Sequence, residues 1–299
     1  MHTILVTGAS SGIGALTCRA LADAGHTVWA GMRATAGRNA AAAQDAAAHP
    51  GGRIRPLELD VTDAASVRAA ALRVLTETPD LDVVVHNAGH MALGPAEAFS
   101  VEEVGHLFDV NVLGTQRLNR ELLPHLRARG EALLLWVGSS STRGGTPPFL
   151  GPYFAAKAAM DALAVSYAAE LIRFGVDTCI VVPGPFTSGT QHFPNAGRAA
   201  DVQRAAAYDD LYGRLQEEVP ARLATLEPSW ADVATVAAAI AEVVDRPAGD
   251  RPFRVHVDPT DDGSEVVSAV ADRMRVEMFR RLGLTDLLPG HPAPAARAH

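Results

Sequence analysis

Tyr153 and Lys157 stand four residues apart in Gly151-Pro152-Tyr153-Phe154-Ala155-Ala156-Lys157. Pro152 suits the first turn of a helix, and four residues is one helical turn, so phenol and ammonium share a face. A free phenol ionises near ~10, too high to trade protons at neutral pH. A cation one turn away favours phenolate, so Lys157 is expected to lower the Tyr153 pKa and make it an acid/base toward a carbonyl or alcohol oxygen. Such an oxygen also needs a hydrogen-bond donor to polarise it. Gly138-Ser139-Ser140-Ser141-Thr142 offers three hydroxyls just upstream. Near the N-terminus, Thr7-Gly8-Ala9-Ser10-Ser11-Gly12-Ile13-Gly14 reads as a turn that opens a helix. Its glycines permit a tight bend and close approach of the backbone to phosphate, and the helix N-terminus supplies free N–H groups to a pyrophosphate.

Placing these groups together requires a scaffold. Short apolar runs at 3–6, 28–30, 54–59, 83–85, 133–137, 178–182 and 254–257 alternate with helical patterns at 13–24, 40–48, 62–76, 101–111, 113–127, 153–174 and 230–244. Strands this apolar, separated by helices, predict an α/β fold: a Rossmann-type doubly wound parallel β-sheet with helices on both faces. Ligands of such sheets lie at the carboxyl ends of the strands. Gly8, Asp60, Asn87, Ser139–Ser141 and Pro183 all fall at such ends. Residues 186–228, with a charged helical pattern over 201–218, read as a substrate loop. Residues 264–282 form an amphipathic pattern with Val267, Val270, Met274 and Met278 on one face, expected to pack on the domain or on another subunit. The division expected is one catalytic domain over 1–260 and a helical extension over 261–299, whose tail from 289 is rich in Pro and Ala and reads as disordered.

The bulk numbers exclude several classes. The chain has 299 residues, 48% hydrophobic and 20% charged, a globular balance. Its net charge of −8 gives no basic footprint for nucleic acid or a membrane surface. Cys18 and Cys179 lie in apolar stretches and read as buried reduced thiols; no metal site is expected, His86 and His90 flanking a turn. The N-terminus reads directly as a strand without a leader, and the apolar runs are too short to span a bilayer, which leads to the expectation of a cytoplasmic protein.

With its Gly-x₃-Gly-x-Gly spacing the glycine turn resembles that of the short-chain dehydrogenase/reductase family. The likeness extends over about residues 3–260, through Asp60, Asn87-Ala88-Gly89, Asn111, the serines, Tyr153-x₃-Lys157 and Pro183-Gly184, in the family's order. It implies a nicotinamide cofactor on Gly8, Ser10, Ser11, Gly12, Ile13 and Gly14, with Asp60 and Val61 at the adenine and Asn87, Ala88 and Gly89 shaping the site. Lys157 would also hold the nicotinamide ribose, Asn111 a water in a proton relay, and Thr187 or Ser188 the carboxamide beyond Pro183 and Gly184. In that family the serine stands thirteen residues before the tyrosine, which selects Ser140; Ser141 is the alternative.

The second strand ends Ala30-Gly31-Met32-Arg33 with no acid from residue 28 to 38. An acid would bind a ribose 2′-hydroxyl, whereas Arg33 suits a 2′-phosphate, so NADP(H) is expected over NAD(H). Met91, Leu93, Phe149, Phe186 and Phe193 are candidate walls for a substrate with an apolar body. The activity implied is carbonyl–alcohol interconversion on a small molecule, in a homodimer or homotetramer built through 101–127 and 153–174. An NAD-linked hydroxysteroid or polyol-type dehydrogenase and a cofactor-sensing regulator are the other readings.

Overall fold

The computed structural model describes residues 1–289, so the tail over 290–299 lies outside the described residues. Seven strands, β1 Thr3–Thr7, β2 Thr27–Met32, β3 Ile54–Glu58, β4 Leu81–His86, β5 Ala132–Val137, β6 Val176–Pro183 and β7 Arg254–Val257, form one parallel sheet. Their order is β3-β2-β1-β4-β5-β6-β7. The chain thus reverses direction across the sheet between β1 and β4, which opens a crevice at their carboxyl ends.

Helices cover both faces because alternate residues of each strand point to opposite sides. On one face α1 Gly12–Asp23, α2 Ala40–Ala47 and α10 Ala234–Asp245 pack on Ile4, Val6, Val28 and Val181. On the other, α3 Ala64–Glu77, α5 Gly114–Arg129 and α6 Gly151–Leu171 pack on Leu5, Trp29, Leu134 and Trp136. Asp63 caps α3 by accepting the Ala65 N–H at 2.9 Å.

Three stretches depart from the sequence expectation. The two patterns at 101–111 and 113–127 are one continuous rod: α4 Val101–Phe108 runs through a π-helical turn, Asp109–Leu113, into α5. Asn111 is buried within that turn. The pattern over 201–218 breaks into α7 Val202–Ala206, α8 Asp209–Tyr212 and α9 Leu215–Ala224. Gly213, at φ 54°, adopts the left-handed geometry that ends α8. Finally, α11 Ser264–Leu282 docks by its polar side: Ser264 and Ser268 are buried, and Asp272 accepts from Arg254 at 3.0 Å. Val267, Val270, Met274 and Met278 face outward, so of the two expected partners for this face, the domain and another subunit, the domain is not the one. The ion pair to β7 and the stacking of Arg275 on Phe253, at 4.7 Å, fix the helix the other way round.

Candidate active site

The glycine turn is held in a compressed form. Gly8 and Gly12 have φ of 68° and 53°. A β-carbon on Gly8 would lie 2.7 Å from Ala88 Cα, and one on Gly14 would overlap the Gly8 carbonyl and the Asn87 amide. Asn87 clamps the turn: its Nδ2 donates to the Thr7 carbonyl at 2.9 Å and the Gly8 carbonyl at 3.2 Å. The Thr7 hydroxyl in turn accepts the N–H groups of Asn87 and Ala88. Ser11, the N-cap of α1, makes no side-chain bond to the helix end, which leaves the first N–H groups directed into a cleft of about 660 Å³. That cleft is lined by Gly8, Ser10, Ser11, Gly12, Ile13 and Gly14 on one side and by Arg33, Asp60, Val61, Asn87, Ala88 and Gly89 on the other. The shape, the bare main chain and the helix terminus fit a pyrophosphate.

At the far end, Asp60 is locked by Thr62, whose N–H and hydroxyl donate to it at 2.9 and 2.7 Å. Burial works against its charge, but these bonds, with Arg33 and Arg38 nearby, hold its carboxyl below the usual range. Arg38 also lines the cleft, a second guanidinium that the sequence reading missed although it stands in the same loop. Glu58, at the end of β3, shares an adjoining groove with Arg33, Arg38 and Asp60, and its oxygens accept the N–H groups of Ala34 and Thr35, both at 2.7 Å.

A second cavity, of about 410 Å³, adjoins the first and shares Ile13, Asn87, Met91, Thr190 and His192 with it. Tyr153, Lys157 and all three serines line it. Because Tyr153 and Lys157 lie one turn apart on α6, both project from the same buried face. The Ser139 hydroxyl lies near the Tyr153 phenol. Ser139 continues β5 in extended conformation, φ −163° and ψ 142°, whereas Ser140 begins a 3₁₀ turn, Ser140–Thr142, and its carbonyl caps Gly144 at 2.7 Å. The Ser141 hydroxyl, also in the cavity wall, bonds that of Ser139, Oγ to Oγ, at 2.8 Å.

The expected lowering of the Tyr153 pKa is not found. Burial pushes the phenol up to about 12, against which the Ser139 hydrogen bond works. Burial also pushes the Lys157 ammonium down to about 8, and its Nζ donates to the Val137 carbonyl at 3.0 Å. Desolvation of both groups outweighs their mutual attraction here. Asn111 reaches Lys157 across Gly89, where a β-carbon would lie 3.0 Å from Asn111 Oδ1 and 3.6 Å from Lys157 Nζ. The Asn111 amide donates to the carbonyls of His90 and Leu107, both at 2.9 Å, and so ties the β4 loop to the π turn.

Pro183 and Gly184 line the second cavity, not the first. Thr187 and Ser188 line neither; the Thr187 N–H is drawn to Glu227. Thr190, three residues beyond Thr187, is buried over Gly12 and lines both cavities. Beside it stands His192, whose imidazole burial holds near about 4, with Lys157 adding to the effect. Met91, Phe186 and Phe193 line the cavity. Leu93 and Phe149 do not; they pack in the apolar cluster behind it, where Phe149 meets Tyr212 edge-on at 5.7 Å. The two cysteines are buried, each thiol pushed up to about 12 by desolvation, and no metal-ligating cluster exists among the described residues. No helix among the described residues is long and apolar enough to cross a membrane.

The family model for short chain dehydrogenases matches residues 2–223. This chain belongs to the short-chain dehydrogenase/reductase family. Over 187 residues it is 42% identical to human 17-beta-hydroxysteroid dehydrogenase type 1, covering 61% of this chain but 56% of that enzyme. The match thus spans less than two thirds of that curated relative. A short-chain dehydrogenase from Streptomyces avermitilis superposes with a TM-score of 0.74 at 29% identity, over 95% of this chain and 98% of the other. A gluconate 5-dehydrogenase from Burkholderia cenocepacia, solved with NADP and tartrate, gives 0.67 at 25% identity, over 86% and 94%. The structure brings together the sequence-predicted Tyr153, Lys157, Asn111, Ser140, Ser141 and the glycine turn, while Thr187 and Ser188 lie outside both cavities.

Proposed function

We propose that this chain is an NADP(H)-preferring oxidoreductase that interconverts a carbonyl and a secondary alcohol on a largely apolar small molecule. The observation that carries this reading is the convergence of Ser139, Ser140 and Ser141 with the Tyr153 phenol and the Lys157 ammonium in a mainly apolar cavity that opens onto the dinucleotide cleft. A bound nicotinamide would supply or accept the hydride. The protein's own residues manage the oxygen. Tyr153, neutral at physiological pH, donates its proton to the carbonyl oxygen as negative charge develops there. Ser139 donates a hydrogen bond to the same oxygen, and the Lys157 charge favours the phenolate left behind. In alcohol oxidation the phenolate takes the proton back. Arg33 and Arg38 support the choice of NADP(H), since two guanidiniums at the ribose end suit a 2′-phosphate. The solved relative with bound NADP is consistent with that choice.

The test is NADPH oxidation against a panel of ketones. Tyr153→Phe is expected to lower kcat/KM by about 10²–10⁴-fold with NADPH affinity retained. Ser139→Ala should lower kcat by about 10²-fold and Ser140→Ala by far less. Undiminished turnover in Tyr153→Phe would overturn the mechanism, and a larger loss in Ser140→Ala than in Ser139→Ala would return the donor role to Ser140.

A further inference from the structure

The turn between β7 and α11, Asp258-Pro259-Thr260-Asp261-Asp262-Gly263, does more than connect two elements. It folds back on itself, with Asp261 and Gly263 at φ of 50° and 86°. Asp258 fastens it: Oδ1 accepts the Thr260 N–H and hydroxyl at 2.9 and 2.7 Å, and Oδ2 accepts the Asp262 N–H at 3.0 Å. A non-glycine residue in the left-handed region is held there only when its surroundings over-determine it. The result is that Asp262 is delivered onto the serine loop. Its carbonyl accepts the Gly145 N–H at 3.3 Å, and its carboxylate fills the space where a β-carbon on Gly144 would stand. Asp262 lines the same cavity as Ser139 and Tyr153.

The Asp262 carboxyl is held by hydrogen bonds and not by a cation. Oδ1 accepts the Ser264 N–H at 2.9 Å, and among the described residues no cationic side chain pairs with Asp262. The nearby guanidiniums are committed elsewhere: Arg143 to Asp161 at 3.1 Å, Arg254 to Asp161 at 2.6 Å and to Asp272. The Asp258 carboxyl is hydrogen-bonded to that of Asp262, so the two share their negative charge. The rest of the cavity wall is mainly apolar, including Pro147, Leu150, Phe186, Leu223 and Leu226. A carboxylate in such surroundings attracts a cation or hydrogen-bond donor more strongly than it would in water, and repels an anion.

We propose that Asp262 is a specificity-determining residue that binds a second polar group of the substrate, selecting carbonyl compounds with a protonated amine, and next a hydroxyl, over those with a carboxylate. The proposal rests on the carbonyl–alcohol reading and narrows its substrate class. The anchoring bond is charge-assisted, from an N–H or O–H of the substrate to a carboxylate oxygen of Asp262. A carboxylate on the same carbon skeleton would face Asp262 and Asp258 with no cation between them.

The experiment uses ketones of one carbon skeleton ending in methyl, hydroxyl, ammonium or carboxylate, with NADPH. In the wild type, kcat/KM for the ammonium ketone should exceed that for the carboxylate ketone by about tenfold or more. Asp262→Asn should shrink that ratio to within about threefold, and Gly144→Ala, which displaces the carboxylate without removing its charge, should shrink it as well. The ratio is taken within each variant, so a general loss of activity cancels. An unchanged ratio in Asp262→Asn, or a wild-type preference for the carboxylate ketone, would overturn the proposal while leaving the carbonyl–alcohol reading intact. If the wild type reduces none of the four, that reading fails. Calorimetric binding of the matching alkylamine and alkylcarboxylate to the NADP-loaded protein then decides the role of Asp262: tighter amine binding that Asp262→Asn abolishes supports it, and equal binding refutes it.

Discussion

The dinucleotide cleft is walled by main chain fixed at strand ends, whereas the substrate cavity is roofed by side chains from the loop after β6 and from α9. The first wall depends on glycines whose missing β-carbons bring Gly8, Gly14 and Asn87 into contact, and it is tied to the sheet by hydrogen bonds from Thr7 and Asn87. The second depends on Phe186, Phe193 and Leu223, with Tyr208, Leu215 and Tyr212 packed behind. A wall made of backbone tolerates almost no substitution and accepts one ligand. Apolar side chains on short helices can be exchanged with small losses, which makes the same scaffold adaptable to different substrates.

Disturbing each wall in turn tests this contrast. Gly14→Ala should have the largest effect, because its β-carbon would overlap the Gly8 carbonyl. Loss of NADPH binding by about 10²-fold or more, read by fluorescence titration, is the expected outcome, and retention of affinity would mean that the turn is not compressed by design. Lys157→Met separates function from stability. Turnover should fall by about 10²-fold, yet the melting temperature at about pH 7 should rise by about 5 °C, because a buried ammonium is costly to fold. The sign follows from its pKa, near 8 when folded against the usual 10.5. Below pH 8 both states are charged and the cost is full; between these values the unfolded chain keeps a proton that the folded one has lost, so wild-type stability recovers. The gain in Lys157→Met should therefore shrink by about pH 9.5. Arg33→Ala combined with Arg38→Ala should lower the NADPH-over-NADH ratio of kcat/KM by about tenfold, and an unaltered ratio would remove the basis for the cofactor preference. Tyr208→Ala, on the side-chain wall, should raise KM by about threefold with cofactor affinity untouched; an equal change in NADPH affinity would show the two walls to be coupled.

The same contrast explains what could be read from the amino-acid order. The sheet, the glycine turn, Asn87, and the Tyr153–Lys157 pair are local patterns set by strand ends and helical spacing, and the structure places them where those patterns require. The choice among Ser139, Ser140 and Ser141 was not legible, because a count back from Tyr153 does not tell which hydroxyl the turn after β5 presents, and all three line the cavity. Thr190 and Arg38 lie in loops whose course depends on distant contacts, such as the closeness of Thr190 to Gly12, which no spacing encodes. The direction of the Tyr153 shift was missed for a related reason: a sequence shows that a cation is near but not how dry the site is. Leu93 and Phe149 were apolar residues in the correct loops, but only packing distinguishes a cavity wall from the layer behind it.

The π turn over Asp109–Leu113 has a consequence of phase. It inserts one residue beyond the α-helical repeat, and each residue of an α-helix advances it by about 100°. The side chains of Gly114–Arg129 are therefore rotated by about that angle from where an unbroken continuation of Val101–Phe108 would set them. That rotation turns Leu118, Leu122 and Leu126 into the core while Asn111 points toward Gly89 and Lys157. A deletion of one residue from the turn would heal the hydrogen-bond ladder and, in doing so, swing the three leucines out of the interior. The helix would be more regular and the protein would be lost.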